Sequence, residues 1–487
     1  MGGLQGRPLS FFSAILFIHS HFQGGSMCGI FGIANHVEAV PMSYLGLYAL
    51  QHRGQESCGI SSSDGTGVYT QKGRGFVRDF FSESVIGKLK GYSAIGHDRY
   101  STAGDKEDGA EKNAQPIVVK CKFGTISLAH NGNLNNFQPI RAALEQAGAT
   151  FQCTSDSEII LNLIARSEKD NIIEAIKDVL PRIKGAYSLL ILTEKLLIAV
   201  RDPLGIRPLA IGQLNGSYVF SSETCAFDLI KAEEDDDLYL RDVEPGEIIW
   251  VENGELHSER FARSPFLAQC SFEHVYFSRP DSDVFSGRNV ADSRDLMGRL
   301  LAREHPIDAD IVVPVQASGA QAALGFAEES GIRFTLDLIR NHYVARTFIE
   351  PKTTIRHFGV KLKHNPIRKR IRGKRVVLVD DSIMRSTTMR KLVRLIRAAG
   401  AVEVHVRISC PPTISPCFYG VDTPTHEELI AATHSQEEIC KIIEADSLGY
   451  LSQRYLTMAL GRRPKQWCFA CWDKNYPAGT PQEFQVV

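Results

Sequence analysis

No apolar run in this 487-residue chain reaches the roughly 18 residues that a membrane-spanning helix needs. Charge of one sign is not in excess either. The 55 Lys+Arg against 56 Asp+Glu argue against a broad nucleic-acid surface and against a charged disordered tail. Internal repeats are absent. Cysteine is not scarce, but its 11 copies are an odd number, and most stand singly inside apolar runs. That excludes a disulfide scaffold and fits a reducing cytosol with one metal or cluster site, so a cytoplasmic protein is expected. What is present is ordinary globular material: 43% hydrophobic residues over a length that suits two to four domains with full cores.

The stretch Met27-Cys28-Gly29-Ile30-Phe31-Gly32-Ile33 places a cysteine just ahead of a strand-like run. If the chain is cut before Cys28, one residue carries both a thiol (pKa about 8.5) and an α-amine (pKa about 7.7–8.0). The amine can then act as general base for its own thiol near neutral pH. The competing reading is a small buried hydrophobe. Residues 9–19 (LSFFSAILFIH) follow a single Arg7 and resemble a weak signal peptide, but no A-x-A-like site comes after them. A leader or propeptide over residues 1–27 that is removed, or a start at Met27 with loss of the methionine, is expected instead of secretion.

Residues 28–260 read as strand-rich, with runs at 125–129, 186–192, 196–200, 218–221 and 247–251 and helices at 43–51, 156–165 and 172–183. From about Cys270 the pattern changes. Apolar runs at 311–315, 376–379 and 402–408 alternate with helical stretches, which implies a parallel sheet covered by helices. The polar tail from about 426 reads as helical and ends in Cys468-Phe469-Ala470-Cys471.

Polar islands punctuate the first part. Arg99 stands among small residues, and its fork suits a carboxylate. His130-Asn131-Gly132-Asn133 sets an amide beside a glycine, a side-chain and a backbone N–H suited to an oxyanion. Thr154-Ser155-Asp156-Ser157-Glu158 opens a helix and reads equally well as a capping box. In the second part, Asp380-Asp381 end a strand and lead through Ser382, Arg385, Ser386, Thr387 and Thr388 into a helix. Loop N–H groups and a helix N-terminus bind phosphate there, while the acids suit ribose hydroxyls or Mg²⁺; acids that merely cap a helix are the alternative.

Met27-Cys28-Gly29-Ile30, Gln51-His52-Arg53-Gly54-Gln55-Glu56-Ser57, the Arg99 island, His130-Asn131-Gly132-Asn133 and Thr154-Ser155-Asp156-Ser157-Glu158 follow one another in an order that resembles class II glutamine amidotransferases. That resemblance implies an N-terminal-nucleophile hydrolase fold, an αββα sandwich. It implies that Cys28 attacks glutamine, Asn131 and Gly132 form the oxyanion hole, Arg99 holds the substrate carboxylate, and Asp156 holds its α-amine.

Val377-Leu378-Val379-Asp380-Asp381-Ser382 resembles type I phosphoribosyltransferases. Joined, the two parts are similar to the glutamine phosphoribosylpyrophosphate amidotransferases, over residues 28 to about 477. The implied reaction converts phosphoribosyl pyrophosphate, glutamine and water to 5-phosphoribosylamine, glutamate and pyrophosphate, the first committed step of purine synthesis. The implied units are a glutaminase over 28–260, a transferase over 261–430 and a helical tail over 431–487. The resemblance further implies Mg²⁺ at Ser318, Asp380 and Asp381, a mobile loop carrying Arg346, a homotetramer, and purine nucleotides as inhibitors. Gln316-Ala317 before Ser318, Ala345 and Ser386 depart from the family pattern, and all bear on the ribose-diphosphate site. A paralogue aminating another acceptor, or a non-catalytic partner of a synthase, is the alternative.

Alone, Cys468-x-x-Cys471 is a redox pair, a zinc half-site or a cluster half-site. The resemblance to the cluster-bearing branch selects Cys270 and Cys417 as its companions and implies a [4Fe–4S] cluster at Cys270, Cys417, Cys468 and Cys471, with Cys₄ zinc as the alternative.

Overall fold

The computed structural model describes residues 27–100, 111–231, 237–341, 364–461 and 466–481. Residues 1–26 of the leader expected over 1–27, and Ala345 and Arg346, lie outside the described residues.

Side-chain alternation assigns the layers of the first half. In the Gly29–Ile33 strand, Ile30 faces a core between two sheets, while Phe31 and Ile33 face the helix Ala39–Ala49. The Gly185–Leu192 strand divides in the same way. Leu190 and Leu192 enter the inter-sheet core, and Leu189 and Ile191 meet the helices Ser157–Arg166 and Ile172–Val179. Successive residues of a strand point to opposite faces, so a strand apolar on both faces must be sandwiched. The result is the expected four-layer αββα arrangement. One sheet has seven strands with Gly29–Ile33 between Ser217–Ser221 and Ser93–Arg99. The other has six, with Gly124–Leu134 between Gly185–Leu192 and Ile117–Cys121.

The second half is built on a five-stranded parallel sheet in the order Arg333–Phe334, Ile311–Pro314, Arg375–Asp380, Glu403–Ile408, Ser447–Tyr450. After Arg375–Asp380 the chain turns into the helix Ser386–Ala398. Its Met389, Leu392, Val393 and Ile396 are buried as the spacing predicts, and Gly400 ends it at φ +102°.

The tail expected to be helical needs correction. It also supplies Ser447–Tyr450, the outer strand of the parallel sheet, and Trp467–Cys468, which pairs with Gln269–Cys270. Strands of four and two residues are too short to show a period in sequence; only their neighbours make them strands.

Candidate active site

Gly29 lies opposite Asp98 in the sheet, so Cys28 comes alongside Arg99 at the strand's amino end. Cys28 is buried, and its thiol points to the Tyr100 carbonyl at 3.7 Å. Burial pushes the thiol up to about 11, Asp156 adds to that, and Arg99 and Arg53 oppose it. Arg99 is itself buried, with Nη1 3.5 Å from Glu56 Oε2.

Asn131 and Gly132 lie side by side on the Gly124–Leu134 strand. Asn131 Nδ2 donates to Ser222 Oγ at 3.4 Å, and the same hydroxyl accepts from Ile30 N at 3.0 Å. That shared hydroxyl ties the amide to the Cys28 strand. Asn131 Oδ1 is buried with no hydrogen-bond partner among the described residues. Gly132 has φ +155°, and a Cβ there would fall 2.0 Å from Ala186 O, so no other residue fits.

Asp156 occupies the N-cap position of Ser157–Arg166 but caps nothing with its side chain, contrary to the capping-box alternative. Its Oδ2 accepts from Leu134 N at 2.8 Å, at the end of the Asn131 strand. Glu158 instead folds back to accept from Gln152 N and Cys153 N. The aspartate lies within electrostatic reach of Cys28.

A buried charge network behind Cys28 carried no assigned role in the sequence reading. Arg53 Nε donates to Cys28 O at 3.0 Å. Its Nη atoms donate to Glu223 and, at 3.0 and 2.8 Å, to both oxygens of Glu273. Glu223 also accepts from His52 Nε2 at 2.7 Å and from Arg279 N at 2.8 Å. Burial would raise the Glu223 carboxyl, but His52 and Arg53 hold it well below the usual range. The members lie 170 and 220 residues apart, so only charged residues interrupting otherwise apolar or small segments could have flagged them.

In the second half, Asp380, Asp381, Ser318, Ser382, Arg385 and Thr388 line a pocket of about 560 Å³. Burial, and then Asp381, push the Asp380 carboxyl well up. Burial raises Asp381 too, against the Ser318 and Ser382 hydroxyls and Arg294. Two buried carboxyls that repel each other have the chemistry that suits a cation. Arg385 pairs with Glu428 at 2.7 Å. Ser386 and Thr387 form the first turn of the helix and do not line the pocket, and Thr387 is exposed. Ser386 does not have positive φ, so serine at this glycine-like position carries no left-handed strain. The Gln316–Ala317 peptide is cis. Arg346 lies outside the described residues.

Cys270, Cys417, Cys468 and Cys471 all line a second, largely apolar pocket. Cys270 stands opposite Cys468 in the short parallel pair, and the Cys471 carbonyl accepts from Ile414 N and Ser415 N at 3.0 and 3.2 Å, drawing in the Cys417 loop. The fully buried Arg207 lines the same pocket, and its Nε and Nη2 lack partners among the described residues. Its Nη1 lies 3.7 Å from Glu273 Oε1, and four thiols beside the partly unsatisfied guanidinium suit a thiolate-ligated group of net negative charge. Among the described residues no group of three His, Cys, Asp or Glu side chains is closed tightly enough to hold a metal ion.

Residues 97–228 match the glutamine amidotransferase domain family and residues 288–415 the phosphoribosyl transferase domain family. The amidophosphoribosyltransferase of Bacillus subtilis is 46% identical over 461 residues, covering 94% of this chain and 95% of that one. That of Methanocaldococcus jannaschii is 47% identical over 470 residues, with 93% and 98% covered. A solved B. subtilis glutamine phosphoribosylpyrophosphate amidotransferase, described as complexed with ADP and GMP, superposes with a TM-score of 0.86 at 45% identity, covering 93% of this chain and 98% of that one. Likeness of this extent takes in both halves and the seam between them, and the chain belongs to the amidophosphoribosyltransferase family.

Proposed function

We propose that this chain releases ammonia from glutamine at Cys28 and transfers it to phosphoribosyl pyrophosphate at the Asp380-Asp381 pocket, giving 5-phosphoribosylamine, glutamate and pyrophosphate. The observation that carries the reading is the presence, in one chain alike to amidophosphoribosyltransferases over nine-tenths of its length, of both a Cys28–Arg99–Asn131 grouping and a paired-acid pocket.

The chain is cut before Cys28. Sγ then bonds to the side-chain carbonyl carbon of glutamine while its proton passes to the α-amine of the same residue. The carbonyl electron pair becomes an oxyanion met by Asn131 Nδ2 and Gly132 N–H. Collapse breaks the C–N bond, the proton leaves with the nitrogen as ammonia, and water hydrolyses the thioester to glutamate. Arg99 and Asp156 hold the carboxylate and α-amine of the substrate. In the transferase half, ammonia bonds to ribose C1 as the C–O bond to pyrophosphate breaks. Ser382, Arg385 and Thr388, with the backbone N–H groups of Ser386 and Thr387 at the helix N-terminus, hold phosphate oxygens, and Arg346 belongs to the loop that closes over the diphosphate. Mg²⁺ held by Asp380, Asp381 and Ser318 supplies charge neutralisation for the diphosphate. A [4Fe–4S] cluster on Cys270, Cys417, Cys468 and Cys471, rather than zinc, pins the tail to both halves. What supports it is the four thiols and the buried Arg207 lining one pocket, and the likeness to the cluster-bearing branch of the family.

Further parts of the reading are functional units over 28–260, 261–430 and 431–487, a cytoplasmic homotetramer, and purine nucleotides as inhibitors. None of the described helices is long and apolar enough to cross a membrane. The test supplies glutamine, phosphoribosyl pyrophosphate and Mg²⁺ and measures pyrophosphate and glutamate. Equal release of both is expected. Glutamate without pyrophosphate, even with free ammonia as donor, would point to another acceptor.

A further inference from the structure

The strand that carries Asn131 and Gly132 is held from outside its own domain. Gly420, at φ +101° on the loop that follows Cys417, lies so close that a Cβ on it would sit 2.9 Å from the Gly132 carbonyl carbon and 3.0 Å from its Cα and oxygen. The next residue of the strand joins the same loop: Asn133 Nδ2 donates to Phe418 O at 3.1 Å. Two residues on, Asn135 Nδ2 donates to Gly479 O at 2.6 Å, and that carbonyl also accepts from Tyr419 OH at 3.1 Å. The loop is stiff in its own right. Cys417 N donates to Thr423 Oγ1 at 2.7 Å, Tyr419 N to Cys417 Sγ at 3.3 Å, and Tyr419 is buried. On its other side Gly132 has the Ala186 carbonyl, which leaves no room for a Cβ.

Gly132 is therefore wedged between the neighbouring strand and a loop of the transferase half. An oxyanion donor works only when its N–H is aimed at the place where charge develops, and an error of about 1 Å can cost a hundredfold in rate. We propose that Gly420 and Phe418 are positioning residues for the Gly132 peptide, so that the aim of the oxyanion hole is set by the transferase half and not by the glutaminase sheet alone. This rests on the reading of Asn131 and Gly132 as that hole.

The test uses the mature full-length enzyme and three variants, reading kcat and KM for glutamine hydrolysis beside ammonia-dependent pyrophosphate release. Gly420→Ala pushes one methyl into Gly132, and a fall of about tenfold or more in kcat for glutamine is expected, with KM within about twofold and the ammonia-dependent rate unchanged. Asn133→Ala deletes one hydrogen bond without backbone strain and should move kcat the same way by a smaller factor. Should Gly420→Ala fail to fold, Asn133→Ala decides. An unchanged kcat for glutamine, a rise in KM alone, or an equal loss with ammonia overturns the proposal. Asn131→Ala separates it from the reading beneath. If that variant keeps its kcat for glutamine, the oxyanion assignment itself is wrong. If it loses about a hundredfold while Gly420→Ala and Asn133→Ala are silent, only the positioning role falls.

Discussion

Arg53 grips Cys28 by the main chain: its Nε donates to the Cys28 carbonyl oxygen at 3.0 Å, while its own carbonyl accepts from Met27 N at 3.2 Å. The peptide bond expected to break before the nucleophile is thus held on both sides by one residue. Arg53 in turn is fixed by Glu223 and Glu273, the second of which lies beyond the glutaminase domain proposed to end at 260.

Active material should begin at Cys28 by intact mass. Cys28→Ala should lose glutamine-dependent pyrophosphate release by about a thousandfold or more and keep the ammonia-dependent reaction. In uncut chains, burial lifts the Cys28 thiol to about 11, so it is protonated at neutral pH. Its alkylation in uncut material, followed by peptide mass, should be slow there and accelerate as pH rises towards that value.

The Glu223 network makes a prediction about acid. The carboxyl is held below its ordinary value of 4.5 in the folded chain, so the unfolded chain takes up the proton first as pH falls. The stabilisation is therefore complete above that value and is lost below it. Glu223→Gln should cost about 3 kcal/mol or more near neutral pH by stripping Arg53 of a buried partner, and its melting temperature should fall less steeply under acid than that of the parent. Parallel melting curves down through pH 4.5 measure both.

For Asp380 and Asp381 the sign is opposite. Their pKa values are raised, so protons compete with a cation for the pair. Mg²⁺ affinity, followed by titration with phosphoribosyl pyrophosphate present, should strengthen from mildly acid to mildly alkaline pH. Asp381→Asn should weaken it and lower pyrophosphate release about a hundredfold or more with either nitrogen donor.

The cysteine pocket should yield about four iron and four acid-labile sulfide per chain when the protein is prepared without oxygen. Cys417→Ser should lower both together. About one zinc per chain in their place would fit a Cys₄ ion site and remove the cluster reading.

How much of this was legible in the chain depends on distance along it. The Gly29–Ile33 and Gly185–Leu192 strands showed themselves because burial on two faces leaves unbroken apolar runs, and Met389, Leu392, Val393 and Ile396 because a helix repeats its buried face every three or four residues. Cys28, Asn131-Gly132 and Asp380-Asp381 were legible as local groupings whose chemistry does not depend on the rest of the fold. The role of Asp156 was not, because a helix-opening aspartate looks the same whether it caps its helix or reaches across to Leu134.

Local order, then, is what the residues determined unaided: which of the longer segments are strands and helices, which cysteine stands just ahead of a strand, and which acids end one. Tertiary structure alone decided the partners. Arg53 with Glu223 and Glu273, Gly420 against Gly132, Arg207 among the thiols and Ser447–Tyr450 as a sheet edge all join residues far apart in the chain. Nothing local records such pairings, because a buried charge or a close backbone approach is satisfied only when the second segment arrives.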